Sequence, residues 1–527
     1  MCDNNCTFAA DFFKVLLKQD MKTKAILAGI MLATAATTAQ AGGILTNTNQ
    51  SIDFLRNPAR DAAIGLDGVY SNPAGVAFMP EGFHLGFNWQ YAHQTRTITS
   101  TNPVLALGKK NNGSDTKKFE GIADAPFIPS IQAAWNKNNW SLQFNLSVPG
   151  GGGACEYADG LGSFESTVGA IANQLKPLGA TGYDMDGYMQ GRQYYFGVQV
   201  GSAYKVNDNL AVYGGLRLLY GSATYKAKIS NIMVNTAGGY VDFGSFLQGA
   251  ETTVDAGLSQ ANAGLAQVNA GIEQYKSAGA DIPAALLQQQ ATLQGTIAQL
   301  EGTKTSLGAL QKYSQGVNLL CNQSSVGIAP VLGVDYKIGK FNFAAKYEFK
   351  TEIHMKNEST VNQASEIAAV NKFKDGEEVP EDQPAQLALG AQWSPIDVVR
   401  LNAGWHHYFD KQTTWYNNTQ NLLDHDSNEF LLGAEWDVND RVTVSLGGQL
   451  TRYGLTDQYM NDMSFVVNSY SIGFGANFKV ADNVILKGGY FQTNYGDYDR
   501  KDYPTAGVSD SFTRTNYVLG LGCEVTL

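Results

Sequence analysis

Residues 469–480 read SYSIGFGANFKV, and their apolar side chains recur at every second position. Successive side chains of a β-strand point to opposite faces, so this alternation predicts a strand with one apolar face and one polar face. The apolar face holds Tyr470, Ile472, Phe474, Ala476, Phe478 and Val480, and the other face holds Ser471, Gly473, Gly475, Asn477 and Lys479.

The same alternation marks fourteen segments of the chain. They lie near 82–99, 125–137, 139–149, 190–206, 208–228, 324–338, 340–355, 384–395, 397–410, 427–438, 440–454, 464–480, 482–496 and 511–527. Six short turns and seven long loops connect them in strict alternation. A soluble β-sandwich would bury one face of each strand equally well, but it does not impose such an alternation of connections.

Short turns that alternate with long loops on an even number of strands are typical of outer-membrane barrels, whose turns face the periplasm. Unpaired backbone groups are costly in hydrocarbon, so such a sheet has to close on itself. The sequence therefore predicts an all-β fold, a fourteen-stranded antiparallel transmembrane β-barrel whose apolar face meets lipid.

The composition and the N-terminus narrow the class further. Of the 527 residues 16% are charged, and the net charge of −11 without a basic run argues against a nucleic-acid partner. The stretch from Met21, MKTKAILAGIMLATAATTAQAGG, has the charged start, apolar centre and small-residue cleavage site of a signal peptide. We expect residues 1–41 to be a signal peptide with its start at Met21, and the mature chain to begin at Gly42.

Residues 245–320 differ from the rest of the chain because they show helical periodicity. Apolar residues step by three and four from Val254 to Tyr275, and again from Leu286 to Leu307. This pattern predicts an antiparallel helical hairpin outside the membrane, inserted between the fifth and sixth strands. The hairpin is either a spacer that packs over the barrel mouth or a stalk that binds a partner.

The stretch before the first strand, DAAIGLDGVYSNPAGVAF (61–78), contains the turn Asn72-Pro73-Ala74. A short segment with such a turn, followed by fourteen strands with long outer loops, resembles the FadL/TodX family of outer-membrane transporters of long-chain fatty acids and other hydrophobic compounds. The resemblance implies an N-terminal hatch at 42–81 that plugs a barrel at 82–527. An earlier triplet at 57–59, Asn-Pro-Ala, looks like a duplicate of the turn. The helical insertion is longer than the family pattern.

The resemblance also implies the passive uptake of long-chain fatty acids or similar compounds, which leave sideways through a gap in the barrel wall. It implies no enzymatic activity, no cofactor, a hydrophobic small molecule as partner, and a monomer among lipid and lipopolysaccharide in the outer membrane of a Gram-negative bacterium. Two other functions stay open: an adhesin or interaction protein with the helical hairpin as its tip, and a general porin for polar solutes.

The third predicted strand ends in SVPGGGGA (147–154), which makes it the candidate for the gap. Proline cannot donate to a strand ladder, and glycines weaken pairing. The candidate residues are Pro149, Gly150, Gly151, Gly152 and Gly153. The alternative is that this run is only the flexible start of a loop.

Several charged residues fall on the polar face of the strands and are expected to point into the lumen. The basic ones are Arg217, Lys346, Lys350 and Arg400, and the acidic ones are Glu348, Glu352 and Glu435. One of the basic residues would bind a substrate carboxylate through a charge-assisted hydrogen bond. The alternative is that the basic and acidic residues pair with each other along the wall.

Cys155 and Cys321 both fall in predicted outer loops, and export to an oxidising compartment permits a disulfide between them. We therefore predict a Cys155–Cys321 disulfide, with free thiols as the alternative. No metal site is expected, because Asp184 and Asp186 lack the remaining ligands of a calcium loop. No catalytic residues stand out.

Overall fold

The structure is a computed structural model that describes residues 44–361 and 372–527. The predicted signal peptide, residues 1–41, lies outside the described residues. The described chain is built mainly from β-strands, with four α-helices and several short 3₁₀ turns.

Eighteen strands form one antiparallel sheet within the described residues. They are β1 (Gly82–Thr101), β2 (Thr116–Lys137), β3 (Trp140–Tyr157), β4 (Gly182–Lys205), β5 (Leu210–Thr236), β6 (Gly239–Asp242), β7 (Val317–Ile338), β8 (Phe341–Glu348), β9 (His354–Val361), β10 (Glu378–Pro380), β11 (Gln386–Ile396), β12 (Val399–Tyr408), β13 (Ser427–Asn439), β14 (Val442–Arg452), β15 (Ser469–Ala481), β16 (Val484–Tyr495), β17 (Tyr498–Arg500) and β18 (Ser509–Thr526).

The sheet closes into a barrel because β1 pairs with β18 without interruption, from His84 opposite Thr526 to Thr101 opposite Ser509. Four short strands, β6, β9, β10 and β17, extend the wall at the end that carries the long connections, which is called the outer end below. The other fourteen strands form the wall itself. The prediction of a fourteen-stranded antiparallel barrel is confirmed.

In the wall, the alternating side chains place apolar residues on the outer surface and polar residues on the inner surface. On β15, Phe474 is 51% exposed on the outer surface, whereas Ser471 is buried inside. On β13, two strands away from β15, Leu432 is 67% exposed. Exposed apolar side chains surround the barrel in this way, as expected of a surface that faces lipid. The fold is a transmembrane β-barrel.

The strands extend further toward the outer end than the sequence predicted. β2 begins at Thr116 and β7 at Val317, because their ladders continue beyond the apolar band. There the inner positions, such as Phe119 and Leu319, are apolar and the outer positions are mostly polar, which reverses the pattern of the predicted strands. The segment predicted as one strand at 340–355 is instead divided. β8 ends at Glu348, opposite Val331 on β7, and the next residue of β7, Pro330, has no N–H to continue the ladder.

Helices lie at the outer end and inside the barrel: α1 (Ile52–Arg56), α2 (Gly162–Gln174), α3 (Phe243–Ser277) and α4 (Ala284–Gln311). The pair α3 and α4 forms the antiparallel hairpin between β5 and β7, and its leucines on α4 pack over glycines of α3, such as Leu300 over Gly257 and Leu293 over Gly264. Among the described residues, no helix is long and apolar enough to cross a membrane.

The N-terminal segment 44–81 lies inside the barrel and fills its bore; it is called the plug below. Amide side chains on the inner wall donate to its backbone carbonyl groups. Gln143 donates to Pro73 O at 2.7 Å, and Asn342 donates to Ala62 O at 2.7 Å. Because these bonds satisfy backbone groups that water cannot reach, the plug is held in place although α1 and two short 3₁₀ turns are its only regular structure.

Glycines on the inner wall allow the plug to approach the strands closely. A Cβ atom on Gly473 would clash with the carbonyl oxygen of Leu55, and one on Gly433 would clash with the side chain of Asn57. Gly390, Gly404, Gly447, Gly489, Gly520 and Gly522 also face the plug or the residues that hold it. The abundance of glycine in this chain is therefore partly a consequence of the plug.

We predict that Gly473→Ala lowers the thermal midpoint of the purified barrel in detergent, because the added methyl group must displace the plug or the strand, at a cost of about 1–3 kcal/mol. The matched control is Gly488→Ala on β16, where a Cβ would lie 3.9 Å from Leu521, an ordinary contact distance. Equal midpoints for the two variants would show that the plug is not packed against β15.

Candidate functional site

The wall of the barrel is interrupted between β2 and β3. The two strands pair from the short turn that joins them up to Ile131 opposite Leu146. They pair again at Ile122 opposite Glu156 and at the next residue pair toward the outer end. Between these pairs, residues 123–130 of β2 and 147–155 of β3 form no ladder with each other. This interruption, called the wall break below, lies within the apolar band, since Trp135 below it and Ile122 above it are both exposed on the outer surface.

The sequence around the wall break explains why the ladder fails there. On β3, Pro149 has no N–H to donate. Gly151 and Gly153 have φ values of +101° and +74°, and β3 shifts its register against β4 around them. On β2, Pro126 and Pro129 remove two further donors. All five residues that the sequence singled out, Pro149 and the glycines 150–153, lie in the interrupted stretch.

The start of the plug pairs with the edge of β3 that the wall break leaves open. Asn47 N donates to Pro149 O at 2.9 Å, and Thr46 bridges Gly150. The side chain of Gln50 accepts from Val148 N at 3.0 Å and donates to Val148 O at 3.1 Å. The plug therefore replaces, from inside the barrel, part of the hydrogen bonding that β2 does not provide.

Two groups of buried apolar residues lie on either side of the wall break. The lower apolar cluster consists of Ile52, Phe54, Leu55 and Ala59 from the plug, and Ala92, Ala125, Ile128, Val148, Tyr194, Leu431, Phe491 and Val518 from the wall. The upper apolar cluster consists of Ile98, Phe119, Ala123, Cys155, Tyr157, Leu161, Met189, Ala227, Val317, Leu319, Cys321, Phe373, Met460, Phe465, Val467 and Phe512.

A cavity of about 580 Å³ opens above the upper apolar cluster, between α2, the loops around 461–463 and 504–508, and the base of the helical hairpin at Tyr313. Met189 and Leu319 of the upper apolar cluster line it. The same cluster contains Ala123 and Cys155, which flank the top of the wall break. One cluster of packed, buried apolar side chains therefore extends from the outer cavity to the wall break.

The polar groups of this outer cavity are acidic or already paired. Arg500 is bound to Asp510 and donates to Met460 O at 2.6 Å. Asp462 accepts from Ser163 N at 2.7 Å, and burial nevertheless raises the pKa of Asp462 above its ordinary value. Most of the lining of the cavity is apolar, so the cavity favours an apolar ligand.

The Asn-Pro-Ala turn at 72–74 fastens the lower part of the plug to the wall. Asn72 Oδ1 accepts from Gly75 N at 3.2 Å and closes the turn, while Asn72 Nδ2 donates to Asp335 on β7 at 2.6 Å. The earlier triplet behaves in the same way, since Asn57 Oδ1 accepts from Ala59 N at 3.2 Å. Both turns therefore hold a tight bend with an asparagine side chain.

Buried ion pairs fasten the plug at middle height. Glu435 on β13 accepts from Arg56 at 2.9 Å and from Arg60 at 3.0 Å, both in the plug. Lys487 on β16 contacts Asp53 of the plug at 2.6 Å. Sequence reasoning found Glu435 but missed the plug residues, because their distance along the chain gives no sign of the contact.

A histidine between two carboxylates also joins the plug to the wall. His406 on β12 lies 2.8 Å from Asp61 of the plug and 3.0 Å from Glu429 on β13. Tyr408 donates to Glu429 at 2.7 Å. The sequence offered only a weak signal for this group. His406 and His407 are adjacent in a strand, so one of the two side chains has to point into the barrel.

Two of the four predicted basic lumen residues pair with wall carboxylates. Arg217 is buried and bound to Glu348. Arg400 contacts Asp437 at 2.6 Å and Glu435 at 3.2 Å. These contacts favour the alternative in which basic and acidic residues pair along the wall.

The two lysines differ from the arginines. Lys346 donates to Tyr70 O of the plug at 3.0 Å and lies over the ring of the same tyrosine. Lys350 contacts Asp382 at 3.2 Å near the outer end. Glu352, expected in the lumen, is instead an exposed residue with a side chain 75% exposed, because the chain has left the barrel ladder at this point.

The predicted disulfide between Cys155 and Cys321 is wrong, and both thiols are free. Both residues lie in strands and not in loops, and their register places them in one row: Cys155 faces Gly191, Gly191 faces Tyr225, and Tyr225 faces Cys321. Three strand spacings separate the two Cα atoms by roughly 14 Å. A disulfide requires at most about 7 Å.

No group of three or more side chains that could hold a metal ion occurs within residues 44–361 and 372–527. Asp184 and Asp186, which have the spacing of calcium ligands, contact lysines instead. Lys109 lies 3.1 Å from Asp184, and Lys110 lies 2.6 Å from Asp186.

The barrel has the fold of solved FadL and TodX structures. A FadL homologue from Pseudomonas aeruginosa superposes with a TM-score of 0.58 at 11% identity, over 92% of this chain and 100% of that chain. The toluene transporter TodX of P. putida superposes with a TM-score of 0.53 at 11% identity, over 93% of this chain and 99% of that chain. Neither a protein-family model nor a curated protein sequence matches this chain, so the likeness lies in the fold.

We predict that Glu435→Gln destabilises the plugged barrel by about 3–5 kcal/mol, because Arg56, Arg60 and Arg400 lose a shared carboxylate at a buried site. Unfolding in denaturant followed by tryptophan fluorescence measures the change. Glu352→Gln, at an exposed carboxylate, is the control. A loss no larger than that of the control would mean that these ion pairs do not hold the plug.

Proposed function

We propose that this protein mediates the passive uptake of hydrophobic compounds, such as long-chain fatty acids, which leave the barrel sideways through the wall break. The observation that supports this most is that one cluster of packed apolar side chains extends from the outer cavity to the wall break of a plugged barrel. The proteins with this fold are described as a FadL homologue and a toluene transporter, which favours transport over catalysis.

The proposed route begins in the outer cavity, passes along the upper apolar cluster and ends between β2 and β3. A hydrophobic solute gains about 25 cal/mol for each Å² of apolar surface removed from water, so it enters an apolar cavity readily and crosses an aqueous pore poorly. Lateral exit delivers such a solute directly to lipid. The plug, which fills the bore below the wall break, supports this route over straight passage through the barrel.

The cellular location of the protein is proposed on the same grounds. We propose that residues 1–41 are removed as a signal peptide and that the barrel resides as a monomer in the outer membrane of a Gram-negative bacterium, where its apolar band contacts lipid and lipopolysaccharide. Short turns at one end and long loops at the other support this orientation.

An adhesin or interaction protein with the helical hairpin as its tip is the second candidate. The hairpin favours it by its length, since α3 alone has 35 residues and spans roughly 50 Å. Its base, however, contributes Tyr313 and Val317 to the outer cavity. This contact connects the hairpin with the proposed transport route and favours transport as the main function.

We predict that a disulfide across the wall break stops uptake. In a background without Cys155, Cys321 and Cys523, the pair Ile128→Cys and Val148→Cys should, once oxidised, abolish the uptake of labelled oleate by cells that lack other transporters. Reduction should restore uptake.

The matched control is Ala133→Cys with Phe144→Cys, two residues that already face each other in the paired part of the β2–β3 ladder. Oxidation of this pair should leave uptake unchanged. Uptake that persists with a complete crosslink across the wall break would contradict lateral exit at this place.

A shortened hairpin separates the two candidate functions. Residues 257–300 begin and end at the facing pair Gly257 and Leu300, so a four-residue turn of glycine and serine can replace them without touching Tyr313. We expect oleate uptake to remain within twofold of the full chain. Normal uptake with lost attachment to cells or surfaces would favour the adhesin, and lost uptake would assign the distal hairpin to transport.

A further inference from the structure

Three basic side chains lie next to each other on the outer surface of the wall, where β4 and β5 extend beyond the apolar band. Arg192 on β4 faces Thr224 on β5, and its Nη2 donates to Thr224 Oγ1 at 3.0 Å. Lys226 and Lys228 follow on the same face of β5 and are exposed, whereas Ala227 between them is buried inside. Facing and diagonal positions of a ladder lie about 5–8 Å apart, so the three residues form one group, called the basic patch below.

The basic patch lies just beyond the upper edge of the apolar band. Phe196 and Tyr220 face each other on β4 and β5, and Val326 on β7, which faces Tyr220, is 61% exposed on the outer surface. Along the tilted strands, Arg192 lies roughly 10 Å beyond Phe196 toward the outer end. Aromatic girdles of barrels mark the level of the lipid headgroups. The long lysine side chains can bend toward this level, so the basic patch can reach the headgroup layer.

The basic patch also differs from other basic groups at the outer end in its pairing. Lys110 contacts Asp186 at 2.6 Å, and Lys118 contacts Glu120 at 2.6 Å. Across residues 44–361 and 372–527, none of the three side chains of the basic patch forms an ion pair. Three adjacent positive charges without a counter-charge repel each other, and an anion from outside the chain would relieve this repulsion.

The carboxylates closest to the basic patch already have other partners. Asp186, besides its contact with Lys110, accepts from Asn231 at 2.6 Å. Glu156 on β3 accepts from Gln190 at 3.2 Å. The basic patch therefore keeps a positive charge that faces the surroundings of the barrel and not its lumen.

We propose that the basic patch binds the phosphate groups of lipopolysaccharide. A phosphate monoester carries a charge of about −1.5 to −2 and accepts strong hydrogen bonds from guanidinium and ammonium groups. This inference rests on the proposed location in the outer membrane and specifies where the barrel holds its glycolipid. Ala154, in the unpaired stretch of β3, faces Arg192, so the bound headgroup would lie beside the wall break.

The test compares two forms of lipid A, the membrane anchor of lipopolysaccharide: one with both phosphate groups and one with both removed. Native mass spectrometry of the purified full-length barrel in detergent gives the affinity for each form. The unchanged chain should bind the phosphorylated form at least roughly tenfold more tightly. The double variant Lys226→Gln with Lys228→Gln should lose most of this preference, because each lysine near a lipid surface contributes a factor of about five.

The matched control is Lys137→Gln with Lys340→Gln, which removes two exposed lysines at the short turns of the opposite end. It should keep the preference of the unchanged chain, and heat-modifiable migration on gels verifies that each variant is folded. Equal affinity of the unchanged chain for both forms, or an unchanged preference in the Lys226 and Lys228 variant, would overturn the proposed site. Displacement of lipid A by equimolar inorganic phosphate would overturn its assignment to a lipid.

Oleate uptake measured on the same double variant separates this inference from the proposed function. The basic patch lies outside the lumen and outside the proposed route, so uptake should remain normal in the variant while the preference for phosphorylated lipid A is lost. Lost uptake in the variant would overturn the assignment of the basic patch to lipid binding alone. Absent uptake in the unchanged chain would contradict the proposed function and leave the lipid A comparison standing on its own.

Discussion

Backbone groups that face hydrocarbon must be paired, and this constraint determines most of the structure. It requires the sheet to close through β1 and β18, and it makes any interruption of the wall exceptional. At the wall break, β3 loses its partner on β2 and instead bonds the start of the plug through Pro149 O and both polar groups of Val148. The interruption of the ladder is thus tolerated because the plug supplies the missing partners from inside.

The plug and the inner wall depend on each other in the same way. Glycines on β11 to β18 remove the side chains that would prevent contact, and amide and charged side chains satisfy the plug's backbone and its arginines. The bore below the wall break is therefore filled by specific contacts. The upper and lower apolar clusters are the part of the lumen that suits a hydrophobic solute.

The strands were predictable because each carries its own alternation, and a residue such as Phe474 reveals its face from its neighbours alone. Pro149 and the following glycines were predictable as a weak place in β3 for the same local reason. Contacts made across the bore could not be predicted from the sequence. Asp61 reaches His406 over 345 residues of chain, and Arg56 of the plug reaches Glu435 on β13. The wrong disulfide has a related cause, since Cys155 and Cys321 were assigned to loops although their strands extend past the apolar band.

We propose that a hydrophobic ligand leaves the barrel between β2 and β3. A crystal structure of the barrel grown in lipid with terminally brominated fatty acid would test it most directly, because the anomalous signal of bromine locates the hydrocarbon end. The account predicts bromine between residues 123–130 and 147–155, open to the surrounding lipid. Bromine confined to the barrel axis below the plug, with none at the wall break, would contradict it.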